Sequence, residues 1–82
     1  MPTNLPPAHL KIISDLNASV LRVLVAEGQS VAAGETLLLL ESMKMEIPVT
    51  APEAGTIVAI LAAEQALVNE GEPLIVMLKS VG

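Results

Sequence analysis

The chain repeats itself. Laid on itself with an offset of 37 positions, which puts Val20 on Ile57, it aligns without gaps. Leu24, Ala26, Glu27, Val31, Gly34, Glu35 and Leu37 meet the identical residues Leu61, Ala63, Glu64, Val68, Gly71, Glu72 and Leu74, and Leu21 and Val23 meet Val58 and Ile60. A repeat of this period raises the question of a solenoid, but a solenoid needs about three copies to bury a continuous core. Two copies can instead pair as equal halves. Each half is a series of short apolar or β-branched runs separated by turn residues, which predicts strands. They fall at His9–Ile13, Val20–Val25, Ser30-Val31, Thr36–Leu40, Met45–Thr50, Thr56–Leu61, Leu67-Val68 and Pro73–Leu78. Strands this short are stable only with paired edges and a buried face. The expected fold is therefore all-β, a flattened antiparallel β-barrel closed from two matched halves.

Ala62–Leu67 has helix-friendly residues, but it is too short to stand alone as a helix and its repeat mate contains Gly28. It reads as a turn. Pro48 removes a ladder donor, which favours an edge strand or an outward-facing N position. Residues 1–8, with Pro2, Pro6 and Pro7, read as a flexible lead-in to a domain spanning 9–80. With no aromatic residue and no Cys, the core must be aliphatic, and disulfides, thiolate metal sites and a Cys nucleophile are excluded. A net charge of −5 argues against nucleic acid and against an anionic membrane surface. The longest apolar run is far too short to span a bilayer and the N-terminus carries no apolar signal segment, so a cytoplasmic location is expected. His9, alone and near the terminus, reads as solvated. The acids at the turns, Glu27, Glu35, Glu64 and Glu72, read as solubility.

Between the halves lies Glu41-Ser42-Met43-Lys44-Met45-Glu46, a polar break that reads as a hairpin tip. The favoured two-residue hairpin turns need φ > 0 and use Asn-Gly or Asp-Gly. Met43 and Lys44 in that conformation would be strained by about 1–2 kcal/mol each. Met43 and Met45 also put apolar surface where solvent should be. If Met43-Lys44 is the centre, Glu41 and Glu46 face each other, an unfavourable like-charge pair. A turn so poorly suited to folding reads as one kept for recognition.

Glu41–Met45 resembles the Glu-(Ala/Ser)-Met-Lys-Met signature of biotinyl carrier domains, in which the Lys carries biotin as an amide. The resemblance runs from about Ile12 to Leu78, with Gly28, Gly34 and Gly71 matching the family's turn glycines and Gly55 the family's glycine before the strand after the tip. It implies two four-stranded sheets related by a quasi-twofold axis (a barrel-sandwich hybrid), with Lys44 on the hairpin that joins the halves. Ala18 and Gln65 depart from the pattern, each standing where the family has a glycine. Residues 26–33 leave no room for the protruding thumb of common bacterial acetyl-CoA carboxylase carriers, so the chain looks more like the thumbless carriers of acyl-CoA carboxylases and transcarboxylases.

What the resemblance implies is a biotin carboxyl carrier. Lys44 would be biotinylated by a biotin protein ligase and would carry CO2 between biotin carboxylase and carboxyltransferase sites. Met43 and Met45, with Glu41 and Ser42, would be read by the ligase; packing of Met45 against the barrel end is the competing role. A lysine amine is ordinarily an ammonium at neutral pH, so the ligase must remove a proton before Lys44 can attack an activated biotin. No residue is a plausible catalyst of carboxylation. One rival is a lipoyl carrier, whose tips usually read Asp-Lys-Ala rather than Met-Lys-Met. The other is an unmodified structural barrel, usually interrupted by a helical hairpin that this chain lacks. An independent enzyme would need a convergent acid–base set.

Overall fold

In the computed structural model, residues 9–80 are described, and the lead-in expected over 1–8 lies outside them. Eight strands follow one another: β1 (His9–Ile13), β2 (Ala18–Val23), β3 (Ser30–Val31), β4 (Thr36–Ser42), β5 (Met45–Thr50), β6 (Gly55–Ile60), β7 (Leu67–Val68) and β8 (Pro73–Lys79). They form two four-stranded antiparallel sheets, ordered β1-β8-β6-β3 and β5-β4-β2-β7. Stacked face to face, the two sheets make the flattened barrel-sandwich that the resemblance implies, though they remain two separate sheets rather than one closed ladder. Each sheet draws two strands from each half: β1 and β3 of the first half flank β8 and β6 of the second, and β5 and β7 of the second flank β4 and β2 of the first. Neither half can therefore complete its sheet alone.

The offset of 37 maps one sheet onto the other strand by strand, and the backbone repeats in detail. The Gly28 amide donates to the Ile57 carbonyl at 2.7 Å, and its mate Gln65 donates to the Val20 carbonyl at 2.7 Å. Gly34 donates to Ala51, and Gly71 to Ser14, both at 2.7 Å. The sheet bulges repeat as well: the register skips Leu21 and Val58, and again Leu37 and Leu74. A bulge breaks strict alternation of side chains, which is why Leu37 and Leu38 are neighbours in sequence and both fully buried. The core is accordingly two-fold: Val20, Val25, Val31, Leu37, Leu38 and Leu40 pack with their mates Ile57, Ala62, Val68, Leu74, Ile75 and Met77. Between the unpaired edges of β1 and β5 a cleft of about 410 Å³ remains. Pro48 lies on that edge, as its missing donor favours.

Three sequence expectations change. Strand β2 starts at Ala18 rather than Val20, because Ala18 and Ser19 pair with Val68 and Leu67. Ala18 is not among the residues with positive φ, so its departure from glycine carries no backbone strain. Its mate Gly55 needs glycine for space instead: an added Cβ would overlap the Leu78 carbonyl oxygen. Finally, the turn glutamates are not merely solubilising. The Val23 amide donates to Glu64 Oε2 at 2.8 Å and the Ile60 amide to Glu27 Oε2 at 3.0 Å, so each half ties down the end of a long strand in the other. Glu35 and Glu72 accept from the Ala32 and Asn69 amides at 2.9 Å and close their own turns. A carboxylate satisfies these strand-end and turn donors better than a neutral acceptor would.

Candidate functional site

Strands β4 and β5 form a hairpin whose last rungs are Leu40↔Ile47, Glu41↔Glu46 and Ser42↔Met45. Two residues remain to turn the chain, and both take left-handed backbone: φ is 53° at Met43 and 67° at Lys44. This is the two-residue turn whose twist matches the strands, and it is made without glycine or asparagine. The strain expected from the sequence is present. Strand alternation then sorts the remaining tip residues. Glu41 and Glu46 stand opposite each other on the outer face, both exposed, while half-buried Ser42 follows Leu40 on the inward-facing side. Glu41 and Ser42 are thus presented in opposite directions.

Lys44 is exposed and makes no ion pair among the described residues; the salt bridge found there joins Lys79 Nζ to Glu53 at 3.5 Å. Met43 is 90% exposed and stands clear of the barrel, while Met45, at 60%, is partly covered. An amine at the apex of a narrow turn, flanked by two exposed methionines, is open to a macromolecule that must grip it from several sides. The same quasi-twofold relation puts the two ends of the described chain at the pole opposite this tip, since His9 is the mate of Glu46 and Lys79 the mate of Ser42. Lys44 is thus well separated from both ends of the described residues.

Sequence reasoning overlooked Leu67. Through β2 it stands in one cross-strand row with Ser19, Glu41 and Glu46, and it is 80% exposed. Its neighbours in sequence look like a turn and a two-residue strand, which is why it passed unnoticed. The signal was in the repeat, where Leu67 falls on Ser30.

The family model for biotin-requiring enzymes matches residues 11–77, which take in all eight strands but for the first residues of β1 and the last of β8. The chain belongs to this family. A biotinylated protein TB7.3 homolog of Mycobacterium leprae is 41% identical over 64 residues, covering 78% of this chain and 90% of that protein. A biotin carboxyl carrier protein of Streptococcus mutans is 42% identical over 57 residues, covering 70% of this chain but 44% of its own length. Among solved structures, a single-chain, multi-domain long-chain acyl-CoA carboxylase contains a region matching 98% of this chain at a TM-score of 0.86 and 31% identity. That region is 8% of the carboxylase chain. Biotin is the group the family requires, and the site fits it: an exposed primary amine with no ion pair among the described residues can be acylated without breaking one.

Proposed function

We propose that this protein is a biotin carboxyl carrier and that Lys44 is the residue that holds the biotin. The observation that carries the assignment is the free amine of Lys44 at the apex of a strained hairpin joining two matched halves, in a chain of the biotin-requiring family. Attachment is an amide bond between Lys44 Nζ and the carboxyl carbon of biotin's side chain. A biotin protein ligase would supply biotin as its adenylate; the amine loses a proton to a base on the ligase, attacks the acyl carbon, and AMP leaves. The need for ATP to make that adenylate fits a cytoplasmic carrier.

Once bound, biotin supplies a ureido nitrogen that accepts and releases CO2, and the chemistry belongs to that group. The protein's contribution is position. The lysine side chain and the acyl chain of biotin together give a tether on the order of 12–15 Å. The interlocked sheets hold its root fixed, so the tethered ring stays at high effective concentration near docked partners. Those partners would be a biotin carboxylase and a carboxyltransferase, and the carrier would bring no catalytic residue to either.

Trypsin tests the assignment. It cuts after Lys11, Arg22, Lys44 and Lys79, and an acylated lysine resists it. Protein made with active biotin ligase should give an uncut peptide from Val23 to Lys79, heavier by one biotinyl group. A peptide map cut fully after Lys44, despite ample ligase and biotin, would contradict the assignment.

A further inference from the structure

The internal repeat supplies a comparison within one molecule. Gln65-Ala66-Leu67 and Gly28-Gln29-Ser30 occupy equivalent places in the two halves, the first beside the tip and the second at the opposite pole. At the far pole the turn uses Gly28 at φ 90°, where glycine is at ease, and the strand residue is the polar Ser30. Beside the tip, Gln65 holds φ 74° with a full side chain, and Leu67 is among the most exposed large apolar residues of the protein. Folding demands the same of both copies. The strained residue and the bare leucine occur in only one of them, on the side of Lys44.

Leu67 also has company. It shares a shallow surface groove of about 300 Å³ with Asn17, Ser19, Glu41 and Asn69. Glu41 lines the groove, and Glu46 stands opposite Glu41 in the same cross-strand row, so two carboxylates lie on this side of Leu67. We propose that Leu67, flanked by Gln65 and this acidic rim, is a second docking element read by the biotin protein ligase in addition to the tip. The inference rests on the assignment of Lys44 as the biotin-bearing residue.

Geometry selects the ligase over the carboxylase. Strand spacing and rise put Leu67 on the order of 15 Å from Lys44. A standard interface of about 800 Å² per partner is a disc of about 16 Å radius, so a protein centred on Lys44 would just cover Leu67. The ligase must be so centred, because it has to bring the amine itself to an acyl carbon. A carboxylase site meets the cofactor at the end of its tether and can leave the sheet face untouched. The matching ligase surface carries an apolar pocket with basic residues around it.

The test is the steady-state kinetics of biotinylation with purified ligase, biotin and ATP. Leu67→Ser, which installs the residue of the far copy, should raise the KM for the carrier about tenfold and leave kcat unchanged. Leu67→Met should restore most of the affinity. Val58→Ser, at an exposed apolar residue on the other sheet, should match wild type, and melting temperatures of all variants monitor the fold. An unchanged KM in Leu67→Ser, or an equal loss in Val58→Ser, would overturn the proposal. So would a wild-type dimer that Leu67→Ser dissolves, since the patch would then belong to a second copy. If wild type itself takes no biotin, the underlying Lys44 assignment has failed, an outcome distinct from a failure at Leu67.

Discussion

Replacing Met43-Lys44 by Asn-Gly should make the protein more stable while abolishing its modification. Both residues hold left-handed backbone, at φ 53° and 67°. That conformation costs an L-residue with a Cβ about 1–2 kcal/mol. Asparagine tolerates it better and glycine bears almost none of it. Part of the relief is offset, because glycine gains more freedom in the unfolded chain, by about 0.5–1 kcal/mol. The two side chains offer little to set against this, since Met43 is almost wholly exposed and Lys44 has no ionic partner among the described residues. The net gain is then about 1–2 kcal/mol, or a rise in Tm of about 4–16 °C for a domain of this size. The protein has no aromatic residue, so thermal unfolding must be followed by far-ultraviolet circular dichroism or calorimetry. Met43→Asn alone, which keeps Lys44, should show a part of the rise. A Tm that stays put or falls in the double variant would refute the argument that the tip sacrifices stability for recognition.

Other substitutions probe the scaffold that holds the tip. Glu64→Ala and Glu27→Ala remove equivalent acceptors from the Val23 and Ile60 amides. Each should destabilise by about 1 kcal/mol in denaturant titration, at the low end because the groups are exposed, and Gln at either place should recover much of it. Gly55→Ala drives a methyl against the Leu78 carbonyl and should cost about 2–4 kcal/mol. Ala18→Gly, its mate in the other half, should change stability by no more than about 1 kcal/mol. Gln65→Gly relieves a strained turn and should raise Tm by a few degrees, about what 0.5–1 kcal/mol provides.

Much of this was legible because the repeat makes every observation twice. The pairing of Val20 with Ile57 and of Leu37 with Leu74 identified equal halves, and Met43-Lys44 marked the join. What escaped notice was the traffic between halves. A glutamate at a turn looks the same whether it is solvated or accepts from an amide dozens of residues away, so the roles of Glu27 and Glu64 had no local signature. The pairing of β3 and β7 with strands of the other half was invisible for the same reason, and with it the row that brings Leu67 beside Glu41. Ala18 and Gln65 illustrate a different limit. Both replace a glycine of the pattern, yet only Gln65 needs positive φ. A glycine kept for backbone conformation and one kept for close approach, as at Gly55, are the same letter until packing is known.

The central claim is that Lys44 carries biotin. Its most direct test is the intact mass of the protein purified from cells with active biotin ligase, beside that of Lys44→Arg. The account predicts a gain of one biotinyl group in the wild type and none in the variant, whose fold and melting temperature stay intact. An unmodified wild type, or a variant that still gains the group, would contradict it.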